Sequence, residues 1–342
     1  MDGNAIVYCE GSFATEYGKT AHGLVRHTAR YDVVAVIDST LAGRDAGDVL
    51  DGAANGIPIV AGIDDVSRDD VTHFVIGMAT DGGTLPAAAR SAVIAAMRRG
   101  LNVDNGLHEL LGEDAELAAI AQASGVVIRD IRKPSGRHFF TGDIIGVRAK
   151  RIAVLGTDCA IGKRTTAVIL VNALNAAGVR TELIGTGQTS WLQGVRYGFM
   201  LDATIDDFVG GELEHVIVAA DRNESPDIII VEGQASLTHP AGSGGFEILS
   251  SAKPHGVVLQ VAPGRTAHSG YPDFPLAPPQ AHVQAIELLF DTRVVAAGVN
   301  PEGIDASRMP DVIAELEATL GIPCCNPLVD GPSKLITAVT AL

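Results

Sequence analysis

Positive charge is the first thing this sequence is short of. Its 342 residues carry 25 Lys and Arg against 41 Asp and Glu, a formal net charge of −16. A surface of that sign repels phosphate backbones and anionic lipid, so neither nucleic acid nor membrane is expected as a partner. Aromatic residues are also scarce, at 4%. Ala, Val, Ile and Gly take their place, which suits buried parallel strands covered by helices on both faces. The cysteines are Cys9, Cys159, Cys324 and Cys325. None pairs at metal-ligand spacing, and adjacent Cys324 and Cys325 make a poor disulfide, so no metal ligands are assigned and a reducing cytoplasm fits. No apolar run approaches the ~18 residues of a membrane span. The opening "MDGNAIVYCEG" lacks the basic start and apolar run of a signal peptide. Hydrophobic residues, by contrast, make up 46% of the chain. That is enough for sizeable cores in two domains.

Short apolar runs alternate with Ala-rich stretches. In the first half, "AIVYCEG" (5–11), "DVVAVIDST" (32–40), "GIPIVAGID" (56–64) and "HFVIGMATDGGTLP" (73–86) read as strands running into turns. "GKTAHGLVRHTARY" (18–31) and "AAARSAVIAAMRRG" (87–100) read as helices. The pattern predicts an α/β fold with doubly wound, mainly parallel sheets. "RKPSGRHFFTGDIIGVRAK" (132–150), with its Pro, Gly and basic residues, interrupts it. The expected domains are therefore 1–148 and 149–342. The second half restarts with the strand "RIAVLGTD" (151–158) and the helix "KRTTAVILVNALNAAG" (163–178).

Between that strand and that helix lies "GTDCAIGK". A strand, a Gly-rich turn and a helix N-terminus present backbone N–H groups and a partial positive charge to an anion, and a lysine adds a mobile full charge. Gly156, Thr157, Gly162, Lys163, Arg164, Thr165 and Thr166 are the candidate phosphate-binding residues. The alternative is a structural turn with a solvated lysine. The loop departs from the usual P-loop in two ways. Five residues separate the glycines, as in the dethiobiotin synthetase group that it resembles. Arg164 also stands where a Ser or Thr would hold magnesium. Magnesium-dependent ATP hydrolysis is thereby in doubt, although Thr165 or Thr166 offers a hydroxyl if the helix starts late.

The tips of parallel strands line the ligand crevice of such folds, so Asp158, Gln188, Thr189 and Glu232 are expected to converge. Glu232 ends "DIIIVEGQ" and faces the reacting group or caps a turn. His239, in "SLTHP", is a base near neutral pH or a loop histidine bonded to backbone. Arg265, near His268 and Tyr271, grips a substrate carboxylate or is an ordinary surface arginine. Asp206 and Asp207 cap a helix or face the cleft. Cys159 lies within the loop, where backbone donors favour a thiolate. The first half lacks G-x-G-x-x-G. Asp38 is a ribose ligand or a helix cap, and the run from 32 to 66 faintly resembles the CoA-binding domains of acyl-CoA synthetases.

Five segments together carry a more specific resemblance: "GKTAHGLVR" (18–26), "GTDCAIGKRTT" (156–166), "GTGQT" (185–189), "VEGQASLTHPA" (231–241) and "GYPDFPL" (270–276). Across nearly the whole chain the sequence resembles a bacterial and archaeal family long labelled a domain of unknown function. That resemblance implies a Rossmann-like N-terminal domain and a P-loop-like C-terminal domain. Some members are D-glutamate N-acetyltransferases that use acetyl-CoA as co-substrate. The implied roles are a base at Glu232, Asp158 or His239, oxyanion donors at Gln188 or Gln234, and a substrate-carboxylate clamp at Arg265 or Arg196. A homo-oligomer is also expected. Two rivals stay open. An ATP-dependent ligase or kinase acting on a small acid predicts metal dependence and ADP release. A nucleotide-binding regulator predicts binding without turnover.

Overall fold

Each β-branched run closes into a strand, and the Ala-rich stretches cover it as helices. The computed structural model describes residues 1–342 apart from Ser135 and Ser243, with only the backbone of Asp81. The chain divides into two compact units, Met1–Ser135 with Gln188–Val195, and Gly136–Gly187 with Arg196–Leu342.

The first unit is built on β1 (Gly3–Tyr8), β2 (Tyr31–Ile37), β3 (Ile59–Val60), β4 (Val71–Ile76), β5 (Asn102–Asn105) and β6 (Ile128–Asp130). Their order is β3-β2-β1-β4-β5-β6, and every pairing is parallel. This is the strand order of dinucleotide-binding α/β domains. The helix expected over 18–31 covers only Lys19–Arg26. His27 is already extended, and Tyr31 opens β2, where its hydroxyl donates to buried Asp104 at 2.7 Å. Asp38 proves to be a cap. One carboxylate oxygen accepts the Thr40 N–H and the other accepts the Phe13 N–H at 3.0 Å. The Gln188–Val195 segment is held in this unit by Leu192, which joins the core. The Gln193 amide donates to the Gly23 and His27 carbonyls at 2.8 Å, and Arg30 lies 3.7 Å above the Trp191 ring.

The second unit carries β7 (Lys150–Gly156), β8 (Thr181–Gly185), β9 (Tyr197–Gly198), β10 (Ile228–Glu232), β11 (Gly256–Val261), β12 (Ala267–His268), β13 (Tyr271–Pro275), β14 (Val294–Val299) and β15 (Cys324–Cys325). The large sheet runs β15-β14-β11-β7-β10-β8-β9, all parallel, while β12 and β13 form a separate antiparallel hairpin. The strand leading into the glycine loop is thus central, with β11 and β10 on either side. Its core joins Leu155, Ile184, Ile229 and Val231 to Leu213 and Ile217 of the helix Asp206–Glu224.

Residues 136–148, expected on the N-terminal side of the boundary, lie in this second unit. The cause is that same helix. Glu212 accepts the His138 N–H, Glu214 those of Thr141 and Ile144, and Asp221 that of Ala149. These carboxylates satisfy a backbone segment that has no regular partner. Asp206 and Asp207 form the helix's first turn, where acidic residues favour the positive dipole end. No helix among the described residues is long and apolar enough to cross a membrane.

Candidate functional site

β7 delivers Gly156 to the centre of the sheet edge. The loop after it is braced from two sides. The Thr157 N–H donates to the Gln260 carbonyl at 3.0 Å, and the Asn300 amide donates to the Ile161 carbonyl at 2.9 Å. Two residues turn left-handed, Ala160 at φ 52° and Gly162 at φ 100°. Gly162 takes this conformation without strain, whereas Ala160 carries of the order of 1 kcal/mol of it. The helix Lys163–Ala176 begins at once, so its positive dipole end faces the loop. Lys163 is buried, and its ammonium folds back to donate to the Asp158 carbonyl. Arg164 is half-buried in the first turn. The Thr166 hydroxyl is oriented by Gln260, donating to its Oε1 at 2.7 Å.

Asp158, inside this loop, is the centre of a buried polar cluster. Its Oδ2 accepts from Arg265 Nη1 and from the Ser269 N–H, both at 2.9 Å. Its Oδ1 faces two imidazoles, His268 Nδ1 at 3.0 Å and His239 Nε2 at 3.8 Å. The side chains of Asp158, His268 and His239 are 0%, 3% and 6% exposed. Burial alone would raise the Asp158 carboxyl. The bonds from His268, the Ser269 and Cys159 N–H groups and Arg265 outweigh it and hold the pKa below 3.8. Burial pulls His239 below its ordinary 6.5, against the charge of Asp158.

Donor atoms of these three residues lie within 4.8 Å of one another, close enough to surround a metal ion. The chemistry around them favours a hydrogen-bonded pair instead. Arg265 already balances the one carboxylate, and Lys163 adds positive charge that reaches His239. The Ala241 N–H donates to His239 Nδ1 at 3.2 Å. That places the proton of neutral His239 on Nε2, the nitrogen a metal would need. At His268 the nitrogen nearest the carboxylate already donates to it.

The other sequence candidates each have partners of their own. Glu232 is buried at the end of β10, its Oε2 accepting the Thr186 N–H at 3.1 Å. Gln234, two residues on, sets its amide against Gly187. Gln188 and Thr189, expected to converge with Asp158 and Glu232, make their side-chain contacts within the first unit. Gln188 fills the space over Gly106, and the Thr189 hydroxyl bonds that of Thr20 at 2.8 Å. Arg265 is no open substrate clamp. Its guanidinium is shared among Asp158, the Cys159 carbonyl and Glu302. Arg196 is 68% exposed and pairs with Glu224 at 2.6 Å. The sequence reading missed Gln260, Asn300, Thr186 and the bond from His268 to Asp158. The one signal for the last was the polar run "GRTAHSGY", whose partner lies 110 residues away.

Comparison with known proteins agrees with this architecture. A family model described as the DUF1611 P-loop domain, a domain of unknown function, matches residues 138–336, and its companion Rossmann-like domain matches 39–134. A protein from Tritonibacter scottomollicae named D-glutamate N-acetyltransferase is 30% identical over 276 residues, covering 79% of this chain and 81% of that one. A protein of the same name from Pseudoalteromonas sp is 29% identical over 296 residues, covering 83% and 87%. The crystal structure of a DUF1611 family protein from Anabaena variabilis is 29% identical and superposes with a TM-score of 0.91 over 99% of both chains. The chain, with its Rossmann-like first unit and P-loop second unit, belongs to the DUF1611 family.

Proposed function

We propose that the protein is an N-acetyltransferase that moves the acetyl group of acetyl-CoA to the amine of an acidic amino acid, D-glutamate first among them. The observation that carries this reading is the altered loop. Gly162 and the helix Lys163–Ala176 keep the anion-binding geometry of a P-loop, with Lys163 and Arg164 side by side. Arg164 stands at the position of the usual magnesium-binding hydroxyl. Such a loop suits the pyrophosphate of CoA, which is bound and released without being cleaved. The two relatives named D-glutamate N-acetyltransferase support the acceptor.

The reaction asks three things of the protein. The acceptor nitrogen attacks the thioester carbonyl carbon, forming a tetrahedral oxyanion. Collapse breaks the C–S bond, leaving the amide and CoA thiolate; of the two protons the acceptor's ammonium loses, one passes through a base to solvent and the other ends on sulfur. Gln234 supplies an amide donor for the oxyanion. Glu232, fixed by Thr186, holds the acceptor's amino group. Lys163 and Arg164 neutralise the CoA phosphates.

The test is thiol release from acetyl-CoA by the purified protein, with D-glutamate, L-glutamate or no acceptor, in excess EDTA. Release that needs D-glutamate and survives chelation supports the reading. No release, with phosphate freed from Mg-ATP and a small acid, contradicts it. Lys163→Ala is expected to raise KM for acetyl-CoA about 10- to 100-fold, the weight of one charge-assisted hydrogen bond.

A further inference from the structure

The geometry points to His268 as the proton acceptor of the reaction, with Asp158 as its positioning residue. This rests on the acetyl-transfer reading and adds a residue that the loop motif does not contain. Amide formation from an ammonium ion cannot proceed until the nitrogen loses a proton, so the site needs a base of near-neutral pKa within reach of the thioester.

Asp158 Oδ1 receives His268 Nδ1 at 3.0 Å, and the carboxylate is ionised, so the proton of that bond sits on Nδ1. The tautomer is thereby fixed. Nε2 keeps its lone pair and, by the geometry of the ring, points away from Asp158. No described residue gives Nε2 a hydrogen bond. A buried carboxylate that orients an imidazole through Nδ1–H, leaving Nε2 to take a proton, is the arrangement of base and orienting acid in hydrolytic triads.

The carboxylate is held so that it cannot turn. Arg265 and the Ser269 N–H occupy Oδ2, and Ser269 is the next residue after His268, so one short segment fixes both members of the pair. The hairpin of β12 and β13 presents this segment, with His268 opposite Tyr271 in register. The His239 ring stands edge-on to His268, 5.2 Å between centroids at 80°, and limits its rotation. The pair is also rooted in the phosphate loop. Asp158 lies two residues after Gly156, and its carbonyl accepts from Lys163. One residue, Asp158, therefore meets both Lys163 and His268.

His239, Glu232 and Asp158 itself fit the role less well. His239 carries its proton on Nε2 and uses Nδ1 to accept the Ala241 N–H, so neither nitrogen is left to take a proton. Asp158 is a buried carboxylate held in its charged, weakly basic form by the bonds it accepts, and the Glu232 carboxylate is occupied by the Thr186 N–H.

The experiment uses the full chain with acetyl-CoA and D-glutamate. His268→Gln is expected to lower kcat about 10²- to 10⁴-fold while KM for acetyl-CoA changes little. His268→Ala should regain activity when free imidazole is added, which a structural role would not allow. Asp158→Asn should lower kcat comparably, because an amide can face the imidazole in the wrong tautomer. If wild-type protein transfers acetyl and folded His268→Gln keeps kcat within about threefold, below any general-base contribution, the inference is overturned and the function stands. If wild-type protein transfers no acetyl, the function itself fails. Proton NMR of the wild-type protein needs no variant. A downfield, strongly hydrogen-bonded imidazole Nδ1–H is expected, and its absence would overturn the assignment.

Discussion

Arg265 separates two accounts of the site, and its removal has a calculable cost. In the structure its guanidinium is 10% exposed and bonds fully buried Asp158 at 2.9 Å, while its other edge meets Glu302, which is 50% exposed. The outer pair is worth at most about 1 kcal/mol. The inner one is different, because losing it strands a buried charge, at a cost of about 3–5 kcal/mol. Asp158 would keep the Ser269 N–H and His268, so the lower end applies. Arg265→Met, which retains most of the aliphatic packing, should therefore destabilise the second unit by about 3 kcal/mol. For a unit of this size that lowers Tm by about 6–12 °C. Glu302→Gln, as a control, should move it by no more than about 4 °C. Differential scanning calorimetry of the three proteins reads this directly. If Arg265→Met melts within about 2 °C of wild type and instead raises KM for the acidic amino acid at constant kcat, then Arg265 grips substrate and the buried-pair account is wrong.

Three further outcomes are expected. Gly211→Ala places a Cβ 2.0 Å from the His138 carbonyl, so the 136–148 segment must lift from the helix. A loss of roughly 1–3 kcal/mol in urea unfolding checks this, and an unchanged midpoint refutes the contact. His73 and His282 are held below the ordinary 6.5, chiefly by burial. Between their folded values and 6.5 the unfolded chain binds more protons, so stability should fall as pH drops through 6.5. His73→Gln should flatten that slope in melts between pH 7 and 5.5, and a parallel slope would rule His73 out as a source. Among the cysteines, burial pushes Cys324 up to about 12 and Cys325 to about 11, and Cys9 is raised further. Cys159 is part-exposed within the loop. Iodoacetamide should label Cys159 first, and CoA should protect it; equal labelling with and without CoA would move CoA away from the loop.

Much of the fold was legible because its signals are local. The apolar run 152–155 before Gly156, and the helix that follows Gly162, need only short-range patterning to be read. The helix Asp206–Glu224 was harder. Gly210 and Gly211 interrupt its pattern, and both are small because other segments press on them, Ser251 on one and the His138–Phe139 backbone on the other. The hairpin of β12 and β13 hid in a Pro-rich stretch that looks like loop, since strand pairing depends on a partner. The site divided along the same line. The strand, glycine turn and helix around Gly156 and Gly162 are contiguous and were legible from local pattern alone. The Asp158–His268 pair spans 110 residues and exists only because the hairpin returns to the loop. Arg265 was visible as a residue, but its partners were not, and those partners decide whether it holds substrate or structure.

The most direct test of the central claim follows the acetyl group itself. Purified protein is incubated with D-glutamate and acetyl-CoA labelled with ¹³C at the carbonyl, and the products are identified by ¹³C NMR and mass spectrometry. The account predicts one labelled product, N-acetylglutamate of D configuration, formed in step with free CoA. Label that stays on CoA, or that appears as free acetate with glutamate unchanged, would contradict it.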